Sequence, residues 1–418
     1  MDKLQNQDNK PSVQHIENIA VIVPRYGRDV GGGAETLIKS LVDNLKLETH
    51  APRIEVWTTC AKDHRTWANF HQPGVIEIDG ITVRRFLVDE RNLDIFIRHE
   101  LDLAGGKVLS PTEQMEWLEN SVNSKSLYQH ILEHGQEFSA LLFGPYLFAT
   151  SFWGALIHPQ RSVLLPCLHR ERYAYLQCFR FLFEKVRGLI FNSAPEMVLA
   201  NEIYQLPCFS EKSAVVGMSF DERFDLPQAK SWADLKATFP GIEKPYLIYS
   251  GRKEEGKKLD LLIEYFARYR AKCEQCKTSL VLIGAGEISF LKELPPHVYD
   301  LGFVSEEDKQ ALMEHASLLC QPSLNESFSI VIMEAWLRNT AVLVHSLCAV
   351  TKDHVLRSEG GFHFGCFEEF ENIISQLEQN ESLCREMGKK GQAYVKSEYC
   401  WDAVNQRLSE AWKKFGLI

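Results

Sequence analysis

Short, nearly continuous apolar runs alternate with stretches of helical period along most of the chain. "IAVIVPR" (19–25) is a run of the first kind, followed by a glycine-rich loop, "DVGGGAE", and by "TLIKSLVDNL", whose apolar residues recur at helical spacing. "IEVWTT", "ITVRRFLV", "ALLFG" and "SVLLPCLH" predict further strands, and "GLIFNSAPEMVLANEIY" reads as strand, turn and helix. Continuous apolar runs suit strands buried on both faces, and their alternation with helices predicts a parallel sheet covered on both sides. After the polar stretch "FDERFDLPQAKSWADLKATFPGIEK" the pattern restarts. "PYLIYSGR", "SLVLIGAG", "SLLCQPS" and "AVLVHS" predict strands, with helices at "LDLLIEYFARYRAKC", "EEDKQALMEHA" and "SIVIMEAWLRN" between them. The expectation is two similar α/β domains with a cleft between them, a favoured place for ligands.

The boundaries follow from the same pattern. A polar tail covers 1–17, a first domain 18–222, a linker 223–243 and a second domain 244–398. Residues 399–418 form a terminal helix with Trp401, Val404, Leu408 and Trp412 on one side. Residues 90–118 mix charges and apolar positions with little clear period. The uncharged segment "FSALLFGPYLFATSFWGALI" (138–157) is long enough to span a bilayer, but Gly144-Pro145 divides it into a buried strand, a turn and a helix.

The chain has 418 residues, more than one ordinary core accommodates, and a formal net charge of −10. That charge argues against a general nucleic-acid binder, while leaving room for a local basic cleft that takes a small anion. Eleven cysteines without framework spacing suit free thiols in a reducing compartment, and "CEQC" at Cys273 and Cys276 lacks a second ligand pair for zinc. The amino-terminal stretch lacks the apolar core of a signal peptide, and a cytoplasmic protein is expected.

Four clusters carry candidate chemistry. In "NESFSIVIMEAW", Glu326 would sit in the loop after a strand and Glu334 two turns into the following helix. The backbone N–H groups at that helix start suit an anion, while the carboxylates suit sugar hydroxyls. The same two acids also suit a first-turn charge and a solvated helix face. In "YSGRKEEGKKLDLL", Arg252 and Lys257 follow a strand; they match phosphate oxygens, or decorate a charged surface loop. The glycines of "VGGGAET" let a ligand approach backbone amides, or make a tight turn. They lack the spacing of a dinucleotide fingerprint or a P-loop. His169 in "PCLHRERYAY" follows an apolar strand, as a donor to a substrate hydroxyl, a proton carrier or a structural residue.

Taken together these pieces resemble the retaining, nucleotide-sugar-dependent glycosyltransferases of family 4, from about Ile19 to the terminal helix. "YSGRKEEGKKLDLLIEYF" is similar to the family's strand, GR, lysine and helix, and "GFVSEEDKQALMEHASLLCQPSLNESFSIVIMEAW" to its E-x7-E run. "GGAE", "FNS" with Glu196, "VVGMSFD" and "LHRERYAY" fit the same scheme in the first half. The resemblance implies the GT-B fold, two Rossmann-like domains facing a cleft, with the terminal helix crossing back to the first. It implies that Arg252 and Lys257 hold the donor diphosphate with the amides around Phe328, Ser329 and Ile330. Glu326 would contact the transferred sugar, Glu334 the ribose, and the main chain at Phe303 and Val304 the base. Gly32 and Gly33 would lie beside the phosphates and the acceptor, and His169 would face the donor sugar. No metal and no cofactor beyond the nucleotide sugar is expected, and the acceptor would be a glycan or lipid-linked glycan, as in bacterial surface polysaccharide. The family usually has glycine where this chain has Ser327, Ser329 and Lys258, and proline at Ala341.

A sugar-nucleotide epimerase or phosphorylase of the same fold, or a non-catalytic sugar-nucleotide-binding partner subunit, are the competing readings. The stretch 63–121 matches nothing in the scheme. Its "RTWANF" and "LDIFIRHEL" suit either contact with a membrane-bound glycolipid at the inner membrane face or ordinary loop packing.

Overall fold

In a computed structural model, residues 16–220, 228–273 and 275–418 are described. The polar tail to residue 15 and the start of the expected linker, 223–227, lie outside the described residues. Two sheets form two lobes. The first contains β1 (Asn18–Ile22), β2 (Arg53–Thr59), β3 (Gly74–Ile78), β4 (Ile81–Phe86), β5 (Ala140–Phe143), β6 (Ser162–Leu164), β7 (Gly188–Phe191) and β8 (Ser213–Val215). Their order is β3-β4-β2-β1-β5-β6-β7-β8, parallel except for the antiparallel β3–β4 pair. The second contains β9 (Tyr246–Ser250), β10 (Ser279–Ile283), β11 (Val298–Asp300), β12 (Leu318–Gln321), β13 (Val342–His345) and β14 (Gly361–Phe364), all parallel, ordered β11-β10-β9-β12-β13-β14. Counted within its own lobe that order is 3-2-1-4-5-6, the doubly wound arrangement whose chain reverses direction across the sheet between strands 1 and 4. A ligand crevice opens at the carboxyl ends of those two strands, here β9 and β12.

The apolar runs became the central strands because both faces are covered: β1, β5, β9 and β12 are buried throughout except Asn18. The 138–157 segment is β5, a turn and the helix Ala149–Ile157. Among the described residues no helix is long and apolar enough to cross a membrane.

Several elements differ from the sequence expectation. The stretch of unclear period contains the helices Leu93–Ala104 and Pro111–Glu119, started by the side-chain caps Asn92 and Ser110. The first of these buries only His99 and Leu103, so its apolar residues do not fall on one inward stripe. The edge strand β3 is mostly exposed and carries no continuous apolar run. The expected linker contains the helix Trp232–Thr238, which joins the second lobe through Trp232 on Tyr246 and Lys230 on Asp308. Three helices after β13, Ala349–Ser358, Phe367–Gln379 and Glu381–Glu398, complete that lobe.

The terminal helix Trp401–Lys414 crosses back to the first lobe. Its buried side carries Trp401, Val404, Leu408 and Trp412, and Arg407 and Lys414 donate to the carbonyls of Val216 and Ser213. At the crossing, the Phe220 amide donates to the Tyr399 carbonyl, and Phe220, Phe328, Tyr399 and His354 form one buried aromatic cluster joining the lobes.

Candidate functional site

At the carboxyl end of β9 the chain turns through Gly251 to Lys258 into the helix Leu259–Lys272. This loop is pinned from below. Lys253 is buried with its ammonium 2.6 Å from Asp300, its amide donates to the Ala285 carbonyl, and the Tyr249 hydroxyl donates to the Arg252 carbonyl. Pinning at 253 leaves its neighbours Arg252 and Lys257 facing outward, half-exposed and a quarter exposed. At the end of β12 a loop carries Glu326 to Ser329, which caps the helix Ile330–Leu337.

The two loops meet. Lys257 Nζ lies 2.7 Å from Glu326 Oε1, and Gln321 donates to the same oxygen at 3.2 Å. The cation read as a phosphate ligand and the acid read as a sugar ligand are thus partners at the topological switch point, above a helix amino-terminus. Arg252 pairs at 3.2 Å with Glu254 of its own loop. It also reaches toward the first lobe: His64 is held below the ordinary histidine range first by burial, then by the charges of Arg25 and Arg252.

Glu334 is placed differently from the expectation. Ser329 adopts a left-handed conformation (φ 72°), so the helix starts at Ile330 and Glu334 is its fifth residue, little more than one turn in. It is buried, 2.9 Å from Lys309, which also meets Glu306 at 2.9 Å. Burial pushes its carboxyl upward, opposed by the Lys309 charge. Of the positions where the family resembled in sequence usually has glycine, Ser329 and Lys258 (φ 52°) are left-handed, a conformation that costs an L-residue roughly 1 kcal/mol. Ser327 is not among the left-handed residues; its carbonyl accepts the Ser193 hydroxyl at 3.0 Å, a bond between the lobes. Phe328 puts its ring into the aromatic cluster, leaving only its backbone for a ligand. Phe303, largely exposed, and the half-buried Val304 follow β11 and precede the helix Glu306–His315 that supplies Lys309.

In the first lobe, β1 leads through Gly31–Gly33 into the helix Gly33–Lys46. A Cβ at Gly31 or Gly33 would meet open space, whereas one at Gly32 (φ 155°) would collide with the Glu35 carboxylate. Glu35 is ion-paired to the buried Arg25, which also donates to the Lys62 carbonyl and lies over Trp67.

His169 stands on the loop after β6. The preceding amide, of Leu168, donates to Glu196 Oε1, and the Asn192 amide donates to Glu196 Oε2, each at 2.6 Å. Burial pushes Glu196 up to about 8 despite those bonds. Glu171 Oε2 is 3.7 Å from His169 Nδ1, beyond hydrogen-bonding distance, and its other oxygen accepts the Tyr146 hydroxyl at 2.7 Å. His169 and Glu326 line one interlobe cavity of about 390 Å3 with Glu196, Asn325 and Cys348.

The site therefore unites His169, Glu326 and Lys257, with the amides of 329–330 at the same loop. Arg252 stands on the same loop as Lys257, the glycines lie at the start of the first lobe's helix Gly33–Lys46, and Glu334 sits behind Lys309. Sequence reasoning missed Arg25, Glu35, Gln321 and Lys309. Lys309 and Glu306 share a helix in "SEEDKQ", but nothing local signals that their partner lies 25 residues on.

The chain's two lobes and returning helix constitute the GT-B fold, and comparisons agree. The family model described as glycosyl transferases group 1 matches residues 232–394. Comparison with curated proteins gives no match. Among solved structures, sucrose-phosphate synthase of Thermosynechococcus elongatus superposes with a TM-score of 0.68 at 15% identity, covering 96% of this chain and 99% of that one. Anabaena HepE in complex with UDP and glucose gives a TM-score of 0.66 at 17% identity, covering 96% and 100%. WaaG, a glycosyltransferase involved in lipopolysaccharide biosynthesis, gives 0.64 at 14%, covering 95% and 100%.

Proposed function

We propose that the protein is a retaining glycosyltransferase that moves a hexosyl group from a nucleoside-diphosphate sugar to a hydroxyl acceptor. The observation that carries this reading is the Lys257–Glu326 pair at the second lobe's switch point, beside the amides of Ser329 and Ile330. The group 1 family match over this lobe supports it, as does the UDP bound to HepE.

Cleavage of the anomeric C–O bond leaves negative charge on the diphosphate and positive charge on the sugar. In this reading Lys257, Arg252 and the helix-start amides neutralise the first. Because side chains supply that charge, the reaction is metal-independent in this reading. Glu326, released from Lys257 by the incoming phosphate, takes a sugar hydroxyl, and His169 faces the sugar from the first lobe. Glu334 with Lys309 receives the ribose, the backbone of 303–304 the base, and Gly32 and Gly33 border the phosphates. Retention follows if the acceptor hydroxyl attacks from the leaving-group face and its proton passes to a phosphate oxygen. The acceptor is a glycan or lipid-linked glycan, and a cytoplasmic role in surface polysaccharide or glycolipid assembly parallels that of WaaG in lipopolysaccharide biosynthesis.

A thermal-shift panel of nucleoside diphosphates tests the site, because a ligand of the native state raises apparent stability. UDP or another nucleoside diphosphate should raise the midpoint, and Lys257→Ala should remove the shift. A shift that survives Lys257→Ala would place the nucleotide elsewhere.

A further inference from the structure

Beside the reaction cleft lies a second cavity, of about 610 Å3, that the donor reading leaves empty. Asn325, adjacent in sequence to Glu326, forms one wall, and the helix Leu93–Ala104 forms the opposite one through Glu100, Leu101 and Ala104. The loop after His169 supplies Tyr173 and Tyr175, the latter 54% exposed. Glu100 is fixed at the cavity by Trp117 Nε1, 2.6 Å away, and by the Tyr173 hydroxyl. An exposed ring beside fixed polar groups suits a sugar, which presents an apolar face and hydroxyls.

The same helix continues outward with Leu93 (49% exposed), Ile97 (50%) and Leu101 (67%), spaced at i, i+4 and i+8 on one face. Single exposed apolar residues are ordinary, but an aligned row that runs into a cavity is not. At about 1.5 Å rise per residue the row is roughly 12 Å long, the reach of a medium alkyl chain. Of the cations around the row and cavity, Arg98 is paired with Glu116, Lys107 with Asp102 and Glu113, and Arg170 with Glu202, which leaves the row suited to an uncharged chain, while Arg172 lines the cavity together with Tyr175.

We propose that this cavity and row bind the acceptor, and that the acceptor carries a hydrocarbon aglycone: the sugar beside Tyr175 and Asn325, the chain along Leu101, Ile97 and Leu93. The proposal rests on the transferase reading but is tested by binding rather than turnover. Octyl and methyl β-D-glucopyranoside, below the micelle-forming concentration, are titrated against the full chain by saturation-transfer NMR, with the UDP thermal shift measured alongside. Octyl glucoside should bind more tightly, by about two- to fourfold for each methylene held on the row. Ile97→Ser with Leu101→Ser should weaken octyl glucoside about tenfold and leave the UDP shift unchanged, which also verifies folding. Equal behaviour of the two glucosides, absence of binding by both, or octyl binding untouched by the double substitution overturns the proposal. So does binding to neutral phosphatidylcholine vesicles that the substitutions abolish while the glucosides bind alike. A missing UDP shift in the unsubstituted protein marks failure of the donor reading instead.

Discussion

The two lobes are built on one plan and present their switch points differently. In the first, the cation near the glycine loop, Arg25, is buried and locked by Glu35, the Lys62 carbonyl and the Trp67 ring. In the second, Lys257 and Arg252 stand on a loop whose fixed point is the neighbouring Lys253, and each is held by one acid within reach of solvent. A locked guanidinium shapes a wall; in the proposed reading, a cation with one exchangeable partner changes partner when phosphate arrives. On that reading, similar sheets serve as frame in one lobe and as charged receptor in the other.

The largest expected effect comes from removing the exchangeable cation. Lys257→Ala should lower turnover by about 10²–10³-fold, the typical cost of losing one pre-placed donor at a developing anion. The unfolding midpoint should stay within a few degrees, because the side chain carries no core packing. Turnover near that of the unsubstituted protein, measured as nucleoside diphosphate release, would erase the difference between the lobes. Glu326→Gln sharpens the same point with opposite signs: turnover falls about 10²-fold, but UDP binds about threefold more tightly. Breaking a partly exposed ion pair, worth up to about 1 kcal/mol, is no longer needed. Calorimetry checks this, and weaker UDP binding would mean Glu326 does not compete with phosphate.

Much of this arrangement was legible in the sequence. Central strands announce themselves because burial on both faces demands continuous apolar runs, and loops at their ends hold the chemistry in any doubly wound sheet. So Arg252, Lys257, Glu326 and His169 could be placed on loops from the pattern alone. What the sequence hid was pairing at a distance. Lys309 reaches Glu334 across 25 residues and Lys257 reaches Glu326 across 69, and no local period records either. Nor does a helix such as Leu93–Ala104, which buries two residues, generate the period that would reveal it.

Within the second lobe the two glutamates repeat the contrast on a smaller scale. Glu334 is buried with Lys309, whereas Glu326 shares its cation with the cleft. Lys309→Met should therefore cost stability, about 2 kcal/mol, besides weakening donor binding through Glu334, because a buried carboxyl loses its partner and must be protonated. Denaturant unfolding reads this. A cost as small for Lys309→Met as for Lys257→Ala would make the two pairs equivalent.

The smallest effect concerns the joint that both lobes share. His354 lies among Phe328, Tyr394 and Tyr399, its Nδ1 3.0 Å from the Tyr394 hydroxyl. Burial drives it down from 6.5 to about 3. Below 6.5 the unfolded chain takes up a proton that the folded joint refuses, so stability present above 6.5 is lost as the pH falls toward 3. Between 6.5 and about pH 5.5 this linkage amounts to about 1 kcal/mol. His354→Phe loses the Tyr394 bond but has nothing to protonate, so its stability should fall less steeply over that interval by the same amount. Parallel slopes for the two proteins would mean that the joint admits the proton.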